Sequence, residues 1–396
     1  MLETLLSVPP DPILGVTAAF LKDESADKVD LGVGVYKDEV GKTPVMRAVR
    51  RAEQEVLAAQ STKTYVSPTG NQGFNSQVAA LTLGPDLGGR KADVALAQTP
   101  GGSGALRLGA ALLTAARPGS AIHVSDPTWA NHIPLLGSAG LRIETYPYYD
   151  AGNNRLLFDR MLGALDALPA GEIVLLHACC HNPTGQDLDA AQWAAIADVV
   201  ARRRLLPFMD MAYHGLGEDL ERDAAPIRLL AAAVPEMLVA VSCSKNFGLY
   251  RERTGMLAVL AAGSEPAAIV TGQLSRLART MWSMPPDHGA AIVDRVLSQP
   301  ELRSDWATEL QHMANRINAL RGLLAERLGA ATQRDFGWIR QQRGMFSRLP
   351  LSTAQVAAAR DDHHIYMAPD GRINIAGISP ANIERVASGL AAVLRR

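Results

Sequence analysis

The chain has 396 residues, 47% of them hydrophobic and 20% charged, with a formal net charge of -1. That length suits a large domain with a smaller partner, or two or three folding units. The near-neutral balance excludes a basic footprint for nucleic acid or an anionic membrane surface, and no apolar run approaches the ~20 residues that span a bilayer.

The first fifteen residues carry acids and prolines where a secretory leader has a basic start and an apolar core, so no signal peptide is expected. Gly32-Val33-Gly34 reads as a turn, expected to pack beside the C-terminal part of the chain. Strands are predicted at residues 93–98, 121–125, 142–146, 173–177, 206–210 and 238–242, with helical patterns over 105–116, 158–167 and 192–203. Strand–helix–strand repetition with apolar strands argues for an α/β unit, its mostly parallel sheet covered on both faces. From Pro300 the pattern changes. Residues 302–328 read as one extended helix, with Leu310, Met313, Ile317, Leu320 and Leu324 on one face. Shorter elements follow at 336–340, 344–349, 353–362 and 380–394, which suit a smaller α+β unit.

Cys179, Cys180 and Cys243 form neither a metal-ligand spacing nor a disulfide framework, so a cytoplasmic protein without a structural metal is expected. Basic residues are mostly arginine, and after Lys91 the chain contains one lysine, Lys245. It follows the run Val239-Ala240-Val241-Ser242-Cys243-Ser244, whose small residues leave room for a bound ring. A lysine amine becomes nucleophilic near neutral pH only when desolvated or set beside other cations. Asp210 ends the apolar strand Leu206-Pro207-Phe208-Met209, and a buried carboxylate there needs a cationic partner. A protonated pyridine nitrogen is one such partner, and Tyr213, three residues on, is placed to reach the same ring's phenolic oxygen. Thr99-Pro100-Gly101-Gly102-Ser103-Gly104 follows a strand and opens a helix. It lacks the glycine spacing of a dinucleotide fingerprint and the lysine of a P-loop, and suits a single phosphate ester. His181-Asn182-Pro183-Thr184-Gly185 is a turn after the strand ending at His177. His177 and His181 read as hydrogen-bonded core histidines with no catalytic role.

Taken together, and in this order, these segments resemble the aspartate and aromatic aminotransferases of subfamily I-alpha, a fold type I group of pyridoxal-phosphate enzymes. The resemblance runs from Asp11 to the C-terminus. It includes Ser125-Asp126-Pro127-Thr128-Trp129-Ala130-Asn131-His132, Arg343-Gly344-Met345-Phe346-Ser347 and Gly371-Arg372-Ile373-Asn374. It implies a large cofactor domain over residues 44–313 with a mostly parallel mixed sheet, and a small domain from residues 1–43, including an N-terminal arm, and 314–396. It implies that Lys245 carries pyridoxal 5′-phosphate as a Schiff base and moves the substrate's α-proton. Asp210, backed by His132, would pair with the ring nitrogen. Asn182 and Tyr213 would meet the ring oxygen, and Trp129 would cover the ring face. Gly102, Ser103, Ser242 and Arg253 would hold the phosphate, with Tyr65 reaching in from a second subunit of a homodimer. Arg372 would clamp the substrate α-carboxylate beside Gly34, Trp129 and Asn182, while the partner's Arg279 would meet a side-chain carboxylate.

Departures from the family pattern bear on substrate. Met284 and Thr64 stand where strict aspartate enzymes often have asparagine, Trp282 replaces a common tyrosine, and His214 replaces a common glutamine. The wording around Lys245 and Arg343 looks like that of bacterial aromatic aminotransferases. The expected activity is therefore ping-pong transamination of phenylalanine, tyrosine and tryptophan, and also of aspartate and glutamate, with 2-oxoglutarate. The alternatives are a strict aspartate aminotransferase, a lyase or decarboxylase on the same cofactor, and a cofactor-sensing regulator.

Overall fold

A computed structural model describes residues 2–7 and 12–395. Of the expected N-terminal arm, Met1 and residues 8–11 lie outside the described residues, as does Asp11 at the start of the family resemblance.

Seven strands build the central sheet: β1 (Val94–Pro100), β2 (Ala121–Asp126), β3 (Arg142–Pro147), β4 (Ile173–His177), β5 (Leu206–Met211), β6 (Met237–Ser242) and β7 (Thr254–Leu260). Their order across the sheet is β1-β7-β6-β5-β4-β2-β3. Pairings among β2 to β6 are parallel, whereas β7 runs antiparallel to both β1 and β6. Side chains alternate between two cores, as the two-residue strand period requires. In β6, Leu238 and Ala240 enter the smaller core, and Val239 and Val241 enter the larger. Helices α1 (Gly101–Ala116), α2 (His132–Gly137) and α3 (Ser264–Trp282) cover the smaller core, through residues such as Leu106, Leu136 and Leu274. The opposite face is covered by helices including Ala190–Arg203 and Leu220–Ala233.

Helix α4 (Pro300–Thr332) has 33 residues and opens on a proline at its first turn, where the missing N–H costs nothing. Leu302, Trp306, Leu310, Met313, Ile317, Leu320, Leu324 and Leu328 bury one face along its length. This helix runs unbroken through residue 313, where the expected domain boundary falls. At its N-terminal end, Trp306 stacks on Phe247 (centroids 4.5 Å apart, planes 9° apart) and donates from Nε1 to the Asn246 carbonyl at 2.8 Å. Its C-terminal half carries a smaller unit in which Phe346–Arg348 pairs antiparallel with Arg372–Asn374, and Val29–Asp30 pairs parallel with Ile365–Tyr366. The Gly32-Val33-Gly34 turn packs here: Asn374 Nδ2 donates to the carbonyls of Val33 and Val35, each at 2.7 Å.

All six expected strands are present. The seventh, β7, was not anticipated, because every one of its residues is buried and a continuous apolar run carries no strand period. Helix α1 starts at Gly101, four residues before the predicted start, since its glycines disguise a helical turn. No helix among the described residues is long and apolar enough to cross a membrane.

Replacing Trp306 tests whether α4 braces the segment after β6. Trp306→Phe keeps a ring but orphans the buried Asn246 carbonyl, and is expected to cost about 1–3 kcal/mol. Trp306→Ala opens a cavity and should cost about 3–5 kcal/mol. Urea unfolding of both variants measures the difference.

Candidate active site

The carboxyl ends of the parallel strands converge on one edge, where ligands collect in open α/β sheets. Because β7 is antiparallel, its amino end lies on that same edge. The register places Thr254 opposite Pro100, and Gly255 opposite both Thr99 and Ser242. Arg253, just before β7, therefore lands between the Gly101-Gly102 turn and Ser242. The fit leaves no room for larger residues. A Cβ on Gly101 (φ +74°) would sit 2.5 Å from Arg253 Nη2, and one on Gly102 would sit 3.0 Å from Ser242 Cβ. Helix α1 has no side-chain cap on its first N–H groups. With half-buried Ser103, buried Ser242 and exposed Arg253, that end forms a cradle for one phosphate. Arg253 is held by Tyr250, whose carbonyl accepts from Nη1 at 3.0 Å, and by the Ser244 hydroxyl at 3.4 Å.

Asp210, near the end of β5, is buried, and its Oδ2 accepts from His132 Nε2 at 3.1 Å. Only a ring protonated on Nε2 donates this way, and the Thr128 hydroxyl, 2.8 Å from Nδ1, holds that orientation. Burial pushes the Asp210 carboxyl up, but the hydrogen bond from His132, helped by the Lys245 cation, outweighs it and holds the group below its ordinary range. Trp129 meets His132 edge-on, centroids 5.2 Å apart. His181 is hydrogen-bonded on both sides, to Ser125 and Thr184, each at 2.9 Å, as a core histidine should be. His177 differs: its Nε2 is buried with no partner among the described residues, and burial holds its ring neutral by lowering it to about 3.

Lys245 lies beside these groups, its Nζ 4.7 Å from the centroid of the Tyr213 ring. Burial lowers its amine to about 8; Asp210 opposes that shift, while Arg253 and Arg372 add to it. Burial also pushes the Tyr213 phenol up, so it remains a donor at neutral pH. Arg372 is buried, donating from Nη2 to the Gly32 carbonyl at 2.9 Å and from Nη1 to Asn182 Oδ1 at 3.3 Å. Its Nε has no partner among the described residues, and its guanidinium lies 4.3 Å from the centroid of the Phe346 ring. A Cβ on Gly34 would come within 2.8 Å of that ring.

Two expected residues stand apart. Tyr65 is 87% exposed, and Arg279 is exposed with no ion pair or side-chain hydrogen bond among the described residues. Met284 is half-buried, and Trp282 packs against the smaller core. Thr128, Ser244 and Phe346 join the site although sequence reading assigned them no role. Thr128 and Ser244 each adjoin a residue it did single out.

These groups fit the expected cofactor. The glycine cradle, which a Cβ would fill, matches a phosphate; the ionised Asp210 matches a protonated ring nitrogen; and the lowered amine of Lys245 matches an aldehyde carbon. Buried Asn182 and Tyr213 are polar groups suited to the ring oxygen.

Comparison with known proteins agrees with this chemistry. The family described as aminotransferase class I and II matches residues 26–390. The tyrosine aminotransferase of Rhizobium meliloti is 48% identical over 98% of each chain. The aspartate aminotransferase of Escherichia coli is 41% identical over the full length of both. An aromatic-amino-acid aminotransferase from Burkholderia pseudomallei, solved covalently bound to pyridoxal phosphate, superposes with a TM-score of 0.96 at 46% identity, covering 100% of this chain and 99% of that one. An amine lowered by burial, a buried carboxylate facing it and a glycine-built anion cradle thus stand on a scaffold shared along its whole length, and the chain belongs to the class I aminotransferases, enzymes of transamination.

Proposed function

We propose that this aminotransferase uses pyridoxal 5′-phosphate to move the amino group of phenylalanine, tyrosine and tryptophan, and also of aspartate and glutamate, to 2-oxoglutarate. It would do so by a ping-pong route, as a cytoplasmic homodimer whose sites are shared across the interface. The observation that carries the reading is the juxtaposition of Lys245, with its amine lowered to about 8, and the buried Asp210. When bound, the cofactor supplies an electron sink for charge developing at the substrate's α-carbon. Asp210, ionised and oriented by His132, holds the proton on the ring nitrogen that makes the sink effective. Asn182 and Tyr213 hydrogen-bond the ring oxygen, Trp129 covers one ring face, and Gly102, Ser103, Ser242 and Arg253 anchor the phosphate. The Arg372 fork binds the α-carboxylate in two parallel hydrogen bonds, which a lysine cannot supply. Gly34 leaves space for the substrate beside it. Lys245 Nζ would take the proton from the substrate's α-carbon and pass it to the cofactor's side within the same half-reaction, and would run that transfer in reverse for 2-oxoglutarate in the second.

In this reading the residues from 44 to 313 form the cofactor domain, and those before and after form the small domain that brings Arg372. Tyr65 and Arg279, exposed in the single chain, reach the partner's site, where Tyr65 meets the phosphate and Arg279 meets a side-chain carboxylate. Met284 and Thr64 give apolar surface and space to an aromatic ring. The relatives named as tyrosine and aromatic aminotransferases support that preference, and the aspartate aminotransferase of Escherichia coli supports the dicarboxylate branch.

Steady-state kcat/KM for aspartate, phenylalanine and tyrosine with 2-oxoglutarate tests the substrates. The aromatic donors should match or exceed aspartate, and a phenylalanine-to-aspartate ratio far below one overturns the aromatic preference. Arg279→Leu removes a charged hydrogen-bond partner, so aspartate kcat/KM should fall about 10- to 100-fold while phenylalanine stays within about threefold. Mixing that variant with Lys245→Ala after subunit exchange should restore about a quarter of wild-type aspartate activity, because half the dimers carry one intact site. No recovery would place Arg279 outside the partner's site. Cofactor capture tests Lys245 itself. Only the neutral amine attacks an aldehyde, so capture by the cofactor-free chain should rise about tenfold per pH unit up to about 8, then level off. A break near 10.4, the ordinary lysine value, would contradict the buried amine.

A further inference from the structure

One buried charge takes no part in the chemistry above. Arg321, on α4, is fully buried. No carboxylate lies within ion-pair distance of it among the described residues. Its Nη1 donates to Ser347 Oγ at 2.6 Å. Its Nη2 donates to the carbonyls of Gly344 at 2.6 Å, of Arg343 at 3.1 Å and of Phe346. Nε has no partner among the described residues. Asp187 acts on Arg321 only from beyond ion-pair distance. Burying a cation without a directly paired counter-ion is costly, and an apolar side chain of similar volume would serve packing alone better. What the guanidinium supplies, and an apolar side chain cannot, is a rigid fork that fixes several acceptors at once.

Those acceptors belong to the segment that supports Arg372. The Phe346 ring lies 4.3 Å beneath the Arg372 guanidinium. Tyr213 meets the Phe346 ring edge-on at 5.9 Å and 84°, and Lys245 lies over the Tyr213 ring. Lys245 and Arg372 thus each lie over one ring of an edge-on aromatic pair. Besides the Gly32 carbonyl, which accepts from Nη2, Arg372 is held by Asn182, on the turn that ends at Gly185. That turn is locked to the same segment: Arg343 N donates to the Gly185 carbonyl at 2.7 Å, and a Cβ on Gly185 would fall 2.1 Å from the Phe346 carbonyl oxygen and 3.2 Å from Arg321 Nη2. The ring below Arg372 and the amide at its edge therefore both hang from backbone that Arg321 gathers.

We infer that Arg321 is a positioning residue for substrate: by holding the Phe346 strand against the Asn182 turn, it sets the plane and place of the Arg372 fork. The inference rests on the reading of Arg372 as the α-carboxylate site. Every substrate of the reaction carries that carboxylate, so a misplaced fork weakens all of them alike, aromatic or dicarboxylic, amino or oxo acid. The phosphate cradle and Lys245 are held by other contacts and should be unaffected.

The test uses the cofactor-loaded enzyme and the variants Arg321→Lys, Ser347→Ala, Phe346→Leu and Arg372→Lys. Binding of 3-phenylpropanoate, which has the carboxylate but no amino group to react, is measured by titration calorimetry. KM and kcat are measured for phenylalanine and aspartate, and cofactor content by absorbance. Arg321→Lys should weaken 3-phenylpropanoate and raise both KM values by a common factor of about tenfold or more, with kcat within about threefold and full cofactor content. Phe346→Leu should also weaken 3-phenylpropanoate, and Ser347→Ala, which removes one of the four acceptors, should do so more weakly. Unchanged 3-phenylpropanoate binding in Arg321→Lys, a loss confined to kcat, or a loss confined to one substrate class overturns the inference. If Arg321→Lys does not fold, normal binding in both Phe346→Leu and Ser347→Ala overturns it instead. Arg372→Lys separates the two claims: a large loss there beside normal Arg321→Lys sinks the role of Arg321 alone, whereas normal binding in Arg372→Lys sinks the carboxylate assignment and the inference with it.

Discussion

The hydrogen bond from His132 to the buried Asp210 is the interaction around which the site is arranged. A carboxylate at the end of a central strand pays a desolvation penalty that must be met by donors and cations. His132 meets part of it and is itself fixed by Thr128, so the carboxylate is ionised and aimed before any ligand arrives. That negative charge also sets the balance at Lys245. Burial lowers the amine, Arg253 and Arg372 add to the shift, and Asp210 limits it. The result is an amine that is still mostly protonated near physiological pH but whose neutral fraction is far larger than that of an exposed lysine. A fully apolar pocket would lower it further.

Sheet topology delivers these groups to one place. Six strands end at the same edge, and five of them bring Pro100, Asp126, His177, Asp210 and Ser242 at or next to their last position. The one antiparallel strand begins there and brings Arg253. Had β7 been parallel, Arg253 would lie at the opposite edge, and the phosphate cradle would lack its cation. The smaller unit contributes Arg372 through a three-residue strand, and the long helix α4 spans both units. At one end Trp306 braces the lysine segment, and at the other Arg321 braces the strand under Arg372.

Substrate choice follows from a different scale of energy than catalysis. Binding one carboxylate by a buried arginine fork is worth far more than accommodating one extra methylene, which counts for about 1–3 kcal/mol. The α-carboxylate is thus recognised strongly and without discrimination. In the proposed reading, selection among side chains would fall to Arg279, Met284 and Thr64, with graded effects.

Much of this was legible in the chain itself. Six of seven central strands, the long helix and the smaller unit's elements follow from apolar periodicity and length. Lys245, Asp210 and the glycine turn stand out because lone lysines, strand-end carboxylates and clustered glycines have few bland reasons to occur together. Family resemblance, not periodicity, assigned Arg253, Arg372 and Arg279. Local pattern did not reveal β7, because a strand buried on both faces has no polar phase to read. Nor did it reveal the depressed amine of Lys245, the partnerless Nε2 of His177, or the aromatic pair beneath Lys245 and Arg372. Those depend on desolvation and on contacts between residues far apart in sequence, such as Asn182 with Arg372 and Arg321 with Phe346. Residue identity determined which chemistry was possible, and tertiary structure decided which groups were buried, and therefore what charge each carries and what it can reach.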